Sequence, residues 1–224
     1  MAGKGIYGVF YSKCVKTAGV VTGYDGNVKM MGKAVSANFD ANTPEDNPLY
    51  ANNSVAENDI SSGSGGTLTN VLDRMSIETA ADLYGTTVEE VTAKIGSVTY
   101  SGVQISYKGL ETSAPVGVAY IEINQESGVT QYCVVFFREV VYTRPNKSAE
   151  TMGRTISWKT PTIIGTVSGM QGDGSEPWHS ESRWDTQEAA IAYIFNLFGS
   201  EATEEAVAEA AELIRQIEED DVTV

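Results

Sequence analysis

The densest hydrophobic pattern in the chain lies between Val116 and Thr143. Val116–Asn124 (VGVAYIEIN) alternates, the chain reverses around Ser127-Gly128, and Val129–Thr143 (VTQYCVVFFREVVYT) returns with β-branched and aromatic residues crowded on both arms. This pattern predicts a long antiparallel hairpin. Upstream, Gly5–Lys16 and Asn27–Phe39 read as two strands joined by a turn at Asp25-Gly26, a pair that favours positive φ and therefore tight reversal. Thr67–Leu72 reads as a further strand, and Arg154–Met170 as one or two more, with Pro161 marking an edge or a bend.

Elsewhere the period changes to that of a helix. Ser76 is placed to cap a helix ending at Gly85, and Thr87 with Glu90 forms a capping box for a helix ending at Gly96. Asp185 and Glu188 form a capping pair ahead of Ala190, Ile191, Ile194, Leu197 and Phe198, whose spacing is helical until Gly199. Thr203–Glu219 repeats the pattern, with Ala206, Val207, Ala210, Leu213, Ile214 and Ile217 on one face and glutamates on the other. Its last acids oppose the helix dipole, so docking of the apolar face, on its own body or on a neighbour, must supply its stability. The expected class is mainly β (α+β). The expected architecture is an antiparallel sandwich or barrel-like body over residues 1–199 with short flanking helices, followed by an acidic amphipathic segment, 200–224.

Between the early strands lies Asp40–Gly66, a polar excursion punctuated by Thr43-Pro44 and Asn47-Pro48 and carrying a Leu49-Tyr50-Ala51-Asn52-Asn53 island. A long loop without catalytic groups is typical of a surface that docks on another protein. The Leu49-Tyr50 pair inside it is either a loop anchor or an interface hot spot.

Composition narrows the chemistry. At 224 residues the chain is long enough for a proper core without metals or disulfides. No run is long enough to span a bilayer, and the N-terminal segment lacks the apolar stretch of a signal peptide, so a cytoplasmic site of synthesis and no membrane insertion are expected. Cys14 and Cys133 stand far apart with no partner cluster, which fits a reducing compartment. His179 is the single histidine, in a stretch that reads as a polar loop, so within one chain no two-histidine metal site is possible and no Ser-His-Asp or Cys-His arrangement can be built without it. No catalytic residue, metal or cofactor is therefore assigned. Ser62–Gly66 lacks the lysine and the following helix of a phosphate loop, and Glu45, Asp46, Glu57 and Asp59 lack the spacing of a calcium loop. Net charge is −15, disfavouring binding to nucleic acid, and Ser200–Val224 alone carries nine acids against Arg215.

Several segments, taken in order, resemble the tail tube (major tail) proteins of long-tailed, non-contractile bacteriophages, especially those infecting Gram-positive bacteria. The opening Tyr7-Gly-Val-Phe-Tyr-Ser-Lys13 and Val28–Ala37 are similar to the family's first two strands, and Leu49–Asn53 to its Leu-Tyr-Ala-Asp-Asn/Asp island, with Asn52 where Asp is common. Gly66–Thr69 and Glu78–Gly85 are similar to its next strand and Gly-stopped helix. Val116–Tyr120, Tyr132–Arg138, the Thr-x-Gly and Thr-Pro-Thr-x-x-Gly pattern of Glu150–Gly165, and Trp184–Tyr193 follow in the family's order. The resemblance spans residues 5–199. It implies a subunit of hexameric rings that stack into a tube, through which DNA and the tape measure protein pass and at whose ends terminator and tip proteins bind. It further implies that Asp40–Gly66 is the stacking loop, with Leu49, Tyr50, Asn52 and Asn53 as inter-ring contacts. A stand-alone β-sandwich binding module, an adhesin or carbohydrate binder using the tryptophans and tyrosines, is the alternative.

Overall fold

The structure, a computed structural model, describes residues 2–43, 46–51, 54–60, 64–108, 112–126, 128–144 and 160–220. In chain order the first strands are β1 (Ala2–Thr17), β2 (Val20–Tyr24), β3 (Lys29–Met30), β4 (Ala34–Ala41), β5 (Asp46–Ala51), β6 (Ser54–Ile60) and β7 (Gly66–Leu72). Helix α1 (Ile77–Tyr84) precedes β8 (Thr87–Ile95), β9 (Val98–Ser106), β10 (Pro115–Glu126), β11 (Val129–Thr143), β12 (Thr162–Val167) and β13 (His179–Trp184). Two helices, α2 (Gln187–Leu197) and α3 (Glu204–Asp220), follow. The mainly β, α+β class expected from the pattern is the class observed.

A nine-stranded antiparallel sheet runs β2-β1-β10-β11-β12-β7-β4, with β3 also on β1 and β13 also on β11. Its centre is the predicted hairpin, in which Tyr120 lies opposite Val135 and Ala119 opposite Phe136. Because successive side chains face opposite ways, Val118, Tyr120, Val135 and Phe137 enter one core while Ala119, Ile121, Val134 and Phe136 enter another. Burial on both faces is why this stretch reads as a nearly continuous apolar run instead of a clean alternation.

The first core also holds Val9 and Tyr11 of β1, Leu68 and Leu72 of β7, and Leu83 and Tyr84 of α1. Residues from both ends of the sheet meet there, and β4 lies against β1, so the sheet curls around this core. The second core is roofed by α2 through Ala190, Ile191, Ile194 and Phe198, and by α3 through Val207, Ala210, Ala211 and Ile214. The C-terminal helix thus docks its apolar face on its own body, resolving the choice its sequence left open.

Local signals were read correctly where the partner is local. Ser76 Oγ accepts from the Thr79 amide at 3.1 Å, and Gly85 ends α1 in the left-handed region at φ 65°. A Cβ at Gly85 would collide with the Thr112 carbonyl oxygen, so glycine is required there twice over. The N-cap of α2 is Thr186, whose Oγ1 accepts from the Ala189 amide at 3.2 Å, one residue beyond the expected Asp185.

Four expectations need correction. The helix expected over Thr87–Gly96 is the strand β8, paired along its length with β9. Thr87 and Glu90 have capping-box spacing, but Gly96, at φ 61°, serves a hairpin turn and not a helix end. The first reversal comes at Ala18-Gly19, φ 52° and 84°, and Asp25-Gly26 makes a second one leading into β3. Asp40–Gly66 is not irregular throughout: its described parts continue β4 and form the hairpin β5–β6. His179 is the first residue of β13 and not part of a loop.

Ala18 carries a left-handed conformation that costs an L-residue roughly 1–2 kcal/mol unless its side chain can bond locally. Ala18→Asn is expected to raise the midpoint of chemical unfolding, by up to about 1 kcal/mol in stability. Ile214, 1 % exposed beneath α3, is expected to cost about 2 to 5 kcal/mol when replaced by Ala, measured in the same experiment. No change on Ile214→Ala would show that α3 adds nothing to the second core.

Candidate assembly interface

The ladder between β4 and β7 ends with Ala41 opposite Gly66 and is prolonged by Asn42, whose amide donates to the Gly65 carbonyl at 3.0 Å. Asn42 Nδ2 donates to the Ser64 carbonyl at 3.0 Å, closing the base of everything between. From this base rises the hairpin β5–β6, in register from Asp46 opposite Ile60 to Ala51 opposite Ser54, with a shift between Leu49 and Tyr50. Leu49 and Tyr50 therefore lie on β5, across from Glu57 and Val55, while Asn52 and Asn53 lie outside the described residues. Among the described residues β5 and β6 pair only with each other. Since β4 ends the order of the main sheet, the arm springs from an edge.

A second ribbon was not expected. β8 and β9 form a separate two-stranded sheet, and no third strand pairs either of its edges among the described residues. Directly opposed residues share a face, so Val91, Ala93 and Ile95 line up with Gly102, Tyr100 and Val98. That face is apolar toward the tip and open to solvent, with Ile95 72 % and Tyr100 52 % exposed. An isolated two-stranded hairpin is marginal in water, so a ribbon of this kind needs something laid against it. At its base Thr86 Oγ1 donates to the Ser106 carbonyl.

Beside that base is a groove of about 460 Å³ walled by Met75, Ile77, Ala80, Tyr84, Ile105 and Tyr107. The Arg144 guanidinium sits 4.0 Å from the centroid of the Tyr107 ring at its margin. Tyr84 is 1 % exposed, and among the described residues its buried hydroxyl has no hydrogen-bond partner.

The residues that could carry chemistry are used for packing. His179 stacks on Phe137 at 4.9 Å and on Phe39 at 5.8 Å, and burial lowers its pKa while Glu181, 3.7 Å away, opposes the shift. Trp178 packs against the first core and Trp184 on Tyr193 at 4.8 Å, whereas Trp158 lies outside the described residues. Burial pushes the Cys14 thiol up to about 12 and raises that of Cys133, and neither forms a disulfide. Among the described residues no three His, Cys, Asp or Glu side chains gather as a metal site, and no helix is long and apolar enough to cross a membrane. Asp46, Glu57 and Asp59 are placed by backbone register alone, and Glu45, Ser62 and Gly63 lie outside the described residues.

No protein-family model matches the chain, and no curated protein matches it. The features that sequence reading missed are the β8–β9 ribbon and its neighbouring groove. The available signal was Gly96-Ser97 between two β-branched runs, a hairpin spacing that the capping box concealed.

One polar cluster stiffens the frame behind the groove. Asp82 of α1 receives Lys13 Nζ and Lys29 Nζ, each at 2.6 Å, and the Tyr11 hydroxyl at 3.0 Å. Burial alone would raise its carboxyl, but these donors outweigh it and hold the pKa below the ordinary value. A depressed folded-state pKa adds stability that is present above the unfolded value, about 3.9, and is lost as pH falls below it. Asp82→Asn should therefore lower stability at neutral pH and flatten the decline below about pH 4 relative to the unaltered chain. An acid-unfolding profile parallel to that of the unaltered chain would show that the cluster is not coupled to folding.

Proposed function

We propose that the chain is a structural subunit that self-assembles into stacked hexameric rings, forming a bacteriophage tail tube through which DNA is delivered. The order of the sequence segments across residues 5–199 supports this reading, and one structural observation carries it. The β5–β6 arm is set into an edge ladder with a closed base, in the stretch of sequence to which the resemblance assigns stacking. An unpaired hairpin at a sheet edge is a hazard for a monomer and an asset for an assembly, because its backbone groups are open to pairing with another copy.

Ring formation is a heterologous contact that closes, and stacking of rings turns a closed contact into a tube. The edge strand β4 offers a place where sheets of neighbouring subunits can join around a channel. A chain with net charge −15 repels the phosphate backbone, which suits a conduit that DNA must cross without adhering. In this reading the tape measure protein occupies the lumen before DNA does, and terminator and tip proteins close the two ends. The binding-module alternative relies on displayed aromatic residues, whereas Trp178 and Trp184 are committed to packing.

Negative-stain microscopy of the concentrated protein is expected to show rings or hollow tubes. Replacing residues 44–63 by a short Gly-Ser linker, which keeps the Ala41–Gly66 pairing, should preserve cooperative unfolding and single rings while abolishing tubes. Leu49→Ala with Tyr50→Ala should weaken stacking by roughly 2 kcal/mol or more per contact. A chain that stays monomeric at every concentration overturns the proposal, and normal tubes from the linker variant place the stacking contact elsewhere.

A further inference from the structure

We propose that His179 is the titrating member of an aromatic seam between β4 and β13, and that its protonation loosens this seam as the pH falls below neutrality. Among the described residues the two strands share no ladder, since β4 pairs with β7 and β13 with β11. Rings make the contact instead. The Phe39 ring of β4 lies 5.8 Å from that of His179 and 6.0 Å from that of Trp178, and His179 and Trp178 are 5.5 Å apart. Phe39 and His179 both rest on Phe137 of β11, at 4.8 and 4.9 Å. With interplanar angles of 20° to Phe137 and 29° to Phe39, the imidazole is stacked between strands that no backbone bond joins.

A neutral and a charged imidazole are not equivalent in this place. The neutral ring stacks as any flat ring does, whereas the charged one gives up part of its hydration to remain, with only 25 % of its side chain exposed. Glu181, 3.7 Å from Nε2, pulls the other way, but at 61 % exposure its charge is screened by water. Burial is the larger influence and lowers the pKa of His179 from its ordinary value. On β4, Asp40 alternates to the face away from Phe39 and receives the Asn38 amide. On β10, burial holds the Tyr120 phenol neutral, and burial with Glu181 pushes the Glu122 carboxyl toward its neutral form. Beside Phe137, the Arg138 guanidinium donates to Glu176 and to the Val21 carbonyl.

A folded-state pKa below the unfolded one means that the fold favours the neutral ring. The stability that the seam supplies is therefore complete above about pH 6.5 and is lost as the pH falls from there through the folded value. This window lies above the one in which Asp82 acts. Loosening is felt at Phe39, on the strand that ends the main sheet order and whose ladder is prolonged by Asn42 into the base of the β5–β6 arm. The seam lies within one subunit, so it goes beyond the assembly reading and does not depend on it.

The test uses the full chain. Its single histidine gives one pair of imidazole resonances, whose titration midpoint is expected below about 6.5, lower still in Glu181→Gln, and closer to 6.5 in Phe39→Leu, which uncovers the ring. Hydrogen exchange read by mass spectrometry, corrected for the intrinsic rate at each pH, is expected to quicken in β4 and β13 between about pH 7.5 and about pH 5.5 while β10–β11 stays unchanged. The gain is at most about tenfold for each pH unit separating the midpoint from 6.5. His179→Phe keeps a flat ring without the titrating group and should abolish the quickening, and His179→Gln gives the same comparison if that variant unfolds. A midpoint at or above about 6.5 would show that the ring faces and Glu181 hold the cation, and it overturns the proposal. The same quickening in a folded His179 variant overturns it as well. Neither readout needs rings or tubes, so failure of the seam leaves the tail tube reading untouched.

Discussion

Burial of both faces of the β10–β11 hairpin is the constraint on which the rest of the structure depends. A sheet strand alternates its side chains, so covering one face leaves the other to be covered by something else. Here the curl of the sheet covers one face and the helices α2 and α3 cover the other. Gly117 shows how closely the second cover lies, because a Cβ there would run into the rings of Tyr24 and Phe198. Tyr24 and Phe198 meet edge to face at 5.0 Å, and Phe136 meets Phe198 at 5.9 Å, so the aromatic contacts tie strand β2, the central hairpin and the end of α2 into one unit.

Polar groups then fix what the apolar cores leave adjustable. Glu139, 4 % exposed on β11, receives Lys16 Nζ at 2.5 Å and the Gln171 side-chain amide, while the Gln171 Oε1 accepts from the Val21 amide at 3.0 Å. The end of β1, the β2 strand and the segment after β12 are thereby held to the centre of the sheet. Breaking one partner of such a set strands the others out of water, so the cluster enforces one arrangement more than it adds net stability. The cluster of Asp82 with Lys13, Lys29 and Tyr11 is more open, its lysines 44 % and 40 % exposed, and it ties α1 to β1 and β3 and so fixes the wall of the groove.

What the sequence disclosed follows from how local each signal is. The caps at Ser76 and Gly85 and the alternation of Val116–Asn124 are settled by residues a few positions apart, and both were legible. At Thr87–Gly96 the capping box is only a weak local preference, while the strand found there is decided by pairing with Val98–Ser106, a partner that no local signal announces. Ala18-Gly19 escaped because alanine is a poor marker for positive φ, and the adjacent Asp25-Gly26 offered the better one. The strands β5 and β6 are rich in Asn, Asp and Glu, residues depleted in sheets, so composition argued for a loop where the backbone forms a ladder. Of the candidate interface, Leu49 and Tyr50 were legible as an apolar island. The ribbon and groove were not, since a groove is made by residues as far apart as Met75 and Arg144.

The contrast between the three hairpins carries the functional argument furthest. One, β10–β11, is covered on both faces by its own chain and forms the centre of the fold. The other two, β5–β6 and β8–β9, pair with no third strand among the described residues. Two-stranded ribbons gain little stability alone, and they expose edges that invite unwanted pairing. A monomeric binder or an enzyme would have to blunt both hazards with no return. An assembling subunit, as proposed, would use them, since a neighbouring copy would supply the cover that the described residues do not.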